Sequence, residues 1–361
     1  MNLDTPVLSA VGLVRYQELR ADAINAVTER FYSSHGSIYA QFGPRGREAC
    51  REDLAFHLDF LRPVLEFGII QPMVDYLRWL ASVLVTRGVP SEHLALSLEW
   101  FSEFFAATMQ GPDAHAIVAA LDGIRARYLE PDLAQPAIDA MMPQAWPEST
   151  AFESALLAGD RYGAESVLDD CLAQGRSLVD AELHIIQPAL YGIGRKWQNN
   201  EVTVVQEHLA TAIAQAVMSV GLGKSTVSAS NGSRIVLACV EGNNHAVGLQ
   251  MVADAFLLAG WEVQYLGANV PTNGLLRHIA QYKPDLVGLS VSFAQQLRVV
   301  KTIMSQLTQA HGIARPPVII GGLAINQFDR LAGQLGADAT SQDARSAVAS
   351  GGQFARQSGF G

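Results

Sequence analysis

The sequence predicts a multidomain α plus α/β protein, with helical units first and a doubly wound parallel sheet after them. Two observations lead there. Up to Leu222 the apolar residues recur at helical spacing. From Arg234 onward, short apolar runs end in glycine, serine or asparagine and alternate with helical stretches, the pattern of a parallel sheet covered on both faces. At 361 residues the chain has room for two or three domains and a sizeable core.

Composition removes several function classes. The hydrophobic fraction of 49% contains no charge-free run long enough to span a bilayer, so no membrane partner is expected. Met1 to Ala10 carries no basic region ahead of an apolar stretch, so no secretory signal is read. Cys50, Cys171 and Cys239 are odd in number and widely spaced, which indicates neither a disulfide frame nor a zinc site, and a reducing cytoplasm is expected. The formal net charge of −10 leaves no basic face to release counterions from a nucleic acid, so direct nucleic-acid binding is not expected.

In chain order, residues 1–130 form a helical domain with helices expected over 13–32, 45–67, 71–87, 91–109 and 112–129. Ser91, after Pro90, is the expected N-cap of the fourth. One patch here stands out, Arg45, Arg47, Cys50, Arg51, Asp53 and His57. On a helix Arg47 and Arg51 share one face, and Asp53 and His57 another. Arginines grip carboxylates in two-pronged fashion, and Phe56, Phe60 and Tyr39 could sandwich a flat chromophore; a solvated, salt-bridged face is the plainer reading. His35, His93 and His115 are read as ordinary histidines. Residues 131–148 hold Pro131, Pro136, Pro143 and Pro147 and read as a stiff linker.

Residues 149–223 form a second helical unit, with helices over 150–158, 161–174, 178–196 and 203–222 and with Gly159 and Gly175 as stops. Four short antiparallel helices make a bundle. Within it Trp197 and Gln198 precede Glu207 and His208 by ten residues. Residues 233–348 then give strands over 234–240, 261–267, 286–292 and 317–322, with helices over 249–258, 272–282, 294–311 and 325–333 between them. The loops at the strands' carboxyl ends carry Asn243-Asn244-His245-Ala246-Val247-Gly248, then Gly267, then Ser290-Val291-Ser292, then Gly321-Gly322. Such folds bind ligands along that rim. Glycine lets a backbone come close to a ligand, and serine supplies a donor without bulk. Residues 349–361, rich in Gly, Ser and Gln, read as a disordered tail.

Those rim motifs, in that order, resemble the cobalamin-binding Rossmann-like domain of methionine synthase, the mutases and the light-sensing carotenoid repressors of CarH type. That family's first motif is Asp-x-His-x-x-Gly, and Asn243 stands here in place of the acid. The resemblance implies that His245 replaces the dimethylbenzimidazole base beneath cobalt. The displaced nucleotide tail would run between Ser290, Ser292, Gly321 and Gly322. Asn243 would accept from the imidazole N–H without taking up charge, leaving a less basic ligand.

The tryptophan with Glu-His ten residues on resembles the helical cap of the carotenoid repressors. It implies Trp197 against the upper ligand, Glu207 on ribose hydroxyls, and His208 close above cobalt. The repressors carry a histidine after that tryptophan, where Gln198 stands here. A light state held by two histidines is therefore in doubt.

The whole order of units is similar to the photocobilins, photoreceptors that carry adenosylcobalamin and biliverdin together. That resemblance implies photolysis of the cobalt–carbon bond, a relaxed cap, and light-dependent assembly of a homo-oligomer, with the downstream effector unspecified. A bilin would sit near Arg45, Arg47, Cys50, Arg51 and His57. No nucleophile–base pair or carboxylate dyad is visible, so the chain is not expected to be an enzyme. Two other readings stay open. One is a corrinoid carrier, or subunit of a cobalamin-dependent methyltransferase. The other is a nucleotide- or tetrapyrrole-sensing adaptor whose His245 binds no metal.

Overall fold

The structure, a computed structural model, describes residues 5–130, 144–327, 333 and 335–358. The helices of the N-terminal unit are α1 (Ala10–Ser34), α2 (Gly43–Phe67), α3 (Gln71–Val85), α4 (Glu92–Thr108) and α5 (Gly111–Leu129), with a short helical turn over Gly36–Tyr39. Helix α1 starts where the Ser9 hydroxyl accepts from the Gly12 N–H at 2.9 Å. Ser9 is itself held by the Asp113 carboxylate, at 2.8 Å from both its N–H and its hydroxyl. Leu58, Leu61 and Leu65 lie on one face of α2 and are buried. Each such leucine contributes about 1.5–3 kcal/mol, against about 1 for a cap, so the apolar stripe dominates this packing. Ser91 sits before α4 as expected, but its hydroxyl makes no capping bond because its backbone is already helical.

The second unit begins with α6 (Glu148–Leu157) and α7 (Arg161–Ala173). Helix α8 follows in three pieces, Leu178–Ala181, a π-helical turn over Glu182–Ile186, and Gln187–Gln198. Helix α9 spans Val204–Lys224. Asp160, Ser177 and Thr203 cap α7, α8 and α9 with their side chains, and Thr203 and Gln206 complete a reciprocal capping box. Gly159 and Gly175 stop their helices in the left-handed region (φ 71° and 81°). Of the expected linker, Pro131, Pro136 and Pro143 lie outside the described residues. Its end belongs to the bundle, because the Trp146 ring stacks on His184 at 4.8 Å and lies under the Arg176 guanidinium at 4.3 Å.

The sheet domain contains β1 (Arg234–Cys239), α10 (Val247–Leu258), β2 (Glu262–Tyr265), α11 (Thr272–Tyr282), β3 (Leu286–Ser290), α12 (Leu297–His311), β4 (Val318–Gly321), α13 (Leu323–Gln327), β5 (Ala339–Ser341) and α14 (Ala344–Ser358). All pairings are parallel, in the order β2-β1-β3-β4-β5. The order reverses between β1 and β3, so the loops after those two strands flank the switch point where this topology binds ligands. One apolar core joins the four-helix cap to the sheet domain, with Met251, Ala255 and Ala344 packed among cap residues such as Ile185, Ile186 and Met218.

Two expectations are corrected here. Strand β5 was not expected, since Ala339-Thr340-Ser341 is too short and too polar to stand out. The tail read as disordered is helical through Ser358. Gly351 is a packing device, because a Cβ there would lie 2.7 Å from the Phe256 ring. Phe354 and Ala355 pack on the core of the sheet. The expected helix 325–333 extends beyond the described residues.

Candidate functional site

The loop after β1 is built around Asn243, which is fully buried (0% exposed). Its amide Nδ2 donates to the Ser290 carbonyl at 3.0 Å, and its Oδ1 accepts from the backbone N–H of His245 at 3.1 Å. Its own N–H closes a turn on Val240 O at 2.9 Å. One side chain thus ties the loop after β1 to the end of β3. This corrects the expected role of Asn243, whose oxygen takes the backbone of His245 rather than the imidazole. The reason is local: with its NH2 committed to Ser290, the amide oxygen faces the chain two residues on, as in an Asx turn.

His245 therefore stands at the rim with its backbone fixed and its imidazole exposed to the space above the sheet. Phe293 lies edge-on to it at 5.0 Å. Desolvation by the surrounding loops lowers the imidazole's pKa, while the Glu207 carboxylate on the cap pulls the other way. The ring is held neutral with a free lone pair, the state in which histidine binds a transition metal. A Cβ at Gly242, Gly248 or Gly267 would meet nothing, so the surface around the imidazole is open to a broad planar ligand. Asn244 is exposed beside it.

Residues missed by sequence reasoning stiffen the rim. Gln296 is buried; its Oε1 accepts from the N–H groups of Ser292 and Phe293 at 3.0 and 3.1 Å, and its Nε2 donates to Gly242 O at 2.9 Å. Asn269, in the left-handed region (φ 49°), accepts from Gly242 N–H at 2.7 Å and donates its own N–H to Asn243 O at 2.8 Å. The loops after β1, β2 and β3 are therefore bonded to one another. Asn269, with Val270 and Pro271, is legible in the sequence as a turn, but the bonding role of either residue exists only once three strand ends meet.

The expected slot for a nucleotide tail keeps its place but changes its chemistry. Gly321 and Gly322 are required by protein backbone: a Cβ on Gly321 would lie 2.8 Å from Ser341 O, and one on Gly322 (φ 98°) would lie 2.5 Å from Val291 O. The Ser290 hydroxyl bonds the Cys239 thiol, and Ser292 is half-buried. The polar atoms left over at the same rim are Ser341 Oγ, Gln295 Oε1 and Asn326 Oδ1, all buried with no hydrogen-bond partner. Unpaired buried groups are costly, and a tail bearing amide, hydroxyl and phosphate groups would satisfy them. With the neutral imidazole at one end and these atoms at the other, the residues fit a corrinoid.

On the cap, Trp197 and Gln198 form the last turn of α8, and both are half-buried. Asn200 (φ 62°) turns the chain, and Thr203 starts α9. Glu207 is held by the Thr211 hydroxyl at 3.0 Å and by the His208 ring. Its charge acts on the rim histidine, raising the His245 pKa against the larger effect of desolvation. The His208 side chain is 74% exposed. Gln215 on α9 and Gln250 on α10 bond at 3.2 Å, seating the cap on the helix that follows the His245 loop.

The N-terminal patch is not one site. Arg47 pairs with Glu29 and lies over the Tyr32 ring at 4.7 Å; Arg51 donates to Asn25; Arg45 is exposed. Burial pushes the Cys50 thiol up to about 11, an unreactive value. His57 points into the core at 2% exposure, with its Nδ1 bonded to Asp53 O at 2.6 Å. The arginines hold α2 on α1 while the histidine faces away from them. This corrects the grouping of Arg45, Arg47, Cys50, Arg51 and His57.

Residues 233–349 match a family described as the B12 binding domain, and residues 149–220 match a second family of the same description. The repressor CarH of Myxococcus xanthus is 30% identical over 183 residues, 50% of this chain and 58% of its own length. The repressor CarA of the same organism is 30% identical over 212 residues, 58% of this chain and 67% of its own. The trimethylamine corrinoid protein of Methanosarcina barkeri is 26% identical over 190 residues, 52% of this chain and 86% of its own. The solved monomethylamine corrinoid protein of Methanosarcina barkeri aligns over 55% of this chain and 94% of its own, at 20% identity and a TM-score of 0.48. With cap and sheet both matched, and two thirds of CarA covered, the chain belongs to the B12-binding family and carries its cobalamin-binding domains.

Proposed function

We propose that this chain is a light sensor that holds adenosylcobalamin with its own base displaced, His245 beneath the cobalt and the cap above. What supports this reading is the pairing of a cap that carries Trp197, Glu207 and His208 at one end with a sheet rim that carries His245 on a fixed backbone. When bound, the cofactor supplies a cobalt–carbon bond that light cleaves. The remaining tasks fall to the chain. Asn243 and Gln296 hold the His245 backbone still. Glu207, fixed by Thr211, offers carboxylate oxygens to ribose hydroxyls, and the Trp197 indole covers the upper ligand and excludes water. Gln198 would be a weak ligand toward cobalt, and His208 on α9 would be the imidazole available on the cap side. A cap that binds one state better than the other shifts its own packing, and with it subunit assembly.

The test is an absorption spectrum of protein loaded with adenosylcobalamin in darkness, repeated after green light, with size-exclusion chromatography of both. A light-driven spectral change with a changed assembly is expected; a spectrum unaltered by light overturns the reading. We read the N-terminal unit as the seat of a biliverdin, on the resemblance to photocobilins. Protein purified with excess biliverdin should show a red band, and without one only the cobalamin half stands. No catalytic turnover and no direct nucleic-acid binding are proposed.

A second reading is favoured by the match to the trimethylamine corrinoid protein over 190 residues, 86% of that protein's length. There the chain carries a methylated corrinoid for a partner methyltransferase. It requires dark turnover with a methyl donor and no dependence on Trp197.

A further inference from the structure

We propose that Glu182 and Asp254 form a proton-sharing clasp across the seam between the cap and the sheet domain. It holds the cap down while one carboxyl is protonated and loosens when both ionise. Glu182 sits on the π-helical turn of α8 and is 0% exposed; Asp254 sits on α10 and is 6% exposed. They reach across the core that joins the two units, walled by Ile185, Ile186, Met251 and Ala255. π-helical turns are rare and concentrate at functional positions.

The chemistry follows from what the two groups lack. Their carboxyls lie within hydrogen-bonding reach of each other. Both Glu182 oxygens and Asp254 Oδ2 are buried and accept from no donor among the described residues. Two ionised carboxylates are acceptors only, so a bond between them exists only through a retained proton. Two bare charges in this apolar seam would cost several kcal/mol.

The charged groups on the elements around the pair are engaged elsewhere. Asp180 pairs with Arg345 of α14, Glu153 of α6 with Lys196, and Glu148 of α6 with Arg176. Gln215 and Gln250 are neutral and bond each other. Tyr265 of β2 faces Asp254, and its hydroxyl is held neutral, pushed up to about 12. Burial raises both carboxyls; the bond to Asp254 raises Glu182 further and holds Asp254 back. A carboxyl with a raised folded-state pKa stabilises the fold at low pH, and that contribution is lost as pH rises through the folded value. The cap is therefore held most tightly in acid and least in alkali. Lifting it exposes both groups to water and releases the shared proton.

The test uses the full chain without cobalamin, so its failure is separate from any failure of the proposed function. Infrared spectra at neutral pH should show the carbonyl band of a protonated carboxylic acid. That band should be absent from Glu182→Gln and shifted in Asp254→Asn, where burial alone keeps Glu182 protonated but its partner has changed. Urea unfolding should show the wild-type equilibrium moving toward the unfolded state by up to about tenfold per pH unit as pH rises above the ordinary carboxylate value of about 4.3, with that slope flattened in Glu182→Gln. Absence of the band from wild type, its persistence in Glu182→Gln, or an unshifted band in Asp254→Asn overturns the clasp, as does an unchanged slope. Should Glu182→Gln not fold, Asp254→Asn carries the same comparison from the other side of the seam.

Discussion

At the residue scale the site rests on two neighbours with different jobs. In the proposed function His245 is the donor to the metal, and Asn243 is the fastener of its backbone. The family's motif places an acid at the fastener's position. Here the buried amide must both donate to Ser290 O and accept from His245 N–H, which an ionised carboxylate cannot do. Asn243→Asp should cost the cobalamin-free protein about 1–3 kcal/mol in urea unfolding, since it leaves a buried charge against a carbonyl. Equal stability would show that the amide is not required. His57 offers a separate check in the N-terminal unit. Burial lowers its pKa to about 4. A histidine with a depressed folded-state value loses stability as pH falls below about 6.5, here by up to about 3 kcal/mol by pH 4. His57→Phe should remove that loss, while the neighbouring Asp53, raised to about 6 by burial, contributes its opposite trend to both proteins. Identical acid sensitivity of variant and wild type would contradict this. The motif histidine was legible from its neighbours in sequence; the orientation of Asn243 was not, because its second partner lies on another strand.

At the scale of elements, helix ends decide whether the cap presents its residues. Thr203 and Gln206 start α9 one turn before Glu207. Thr203→Ala should therefore cost about 1 kcal/mol in thermal or urea unfolding and speed loss of the upper ligand in darkness. Unchanged dark retention would detach the cap's first turn from the site. Gly322→Ala meets both a left-handed backbone and the Val291 carbonyl, so it should cost at least about 1–3 kcal/mol whether or not cofactor is present. A cost seen only with cofactor would return this glycine to the ligand slot. Long elements were legible because a 3.6-residue period or an apolar run repeats enough to be read. Strand β5 is three residues with one β-branched side chain. Helix α14 hid behind Gly351-Gly352; the small size of Gly351 is what lets the helix lie against Phe256. In both, tertiary packing overrides local preference.

For the whole molecule, the order of units was written in the chain: helices, capped bundle, parallel sheet with its loops on one rim. What could not be read are the ties between units of that order. Gln296 joins strand ends, and the Glu182–Asp254 pair joins cap to sheet from positions far apart in sequence. These ties turn a list of cobalamin motifs into a site with a lid. The measurement closest to the central claim is electron paramagnetic resonance of the cobalt(II) form, bound to protein whose histidines carry the heavier nitrogen isotope. The expected spectrum shows axial coupling to the labelled nitrogen, abolished in His245→Ala. Coupling to the cofactor's own unlabelled base instead, or an identical spectrum from His245→Ala, would contradict it.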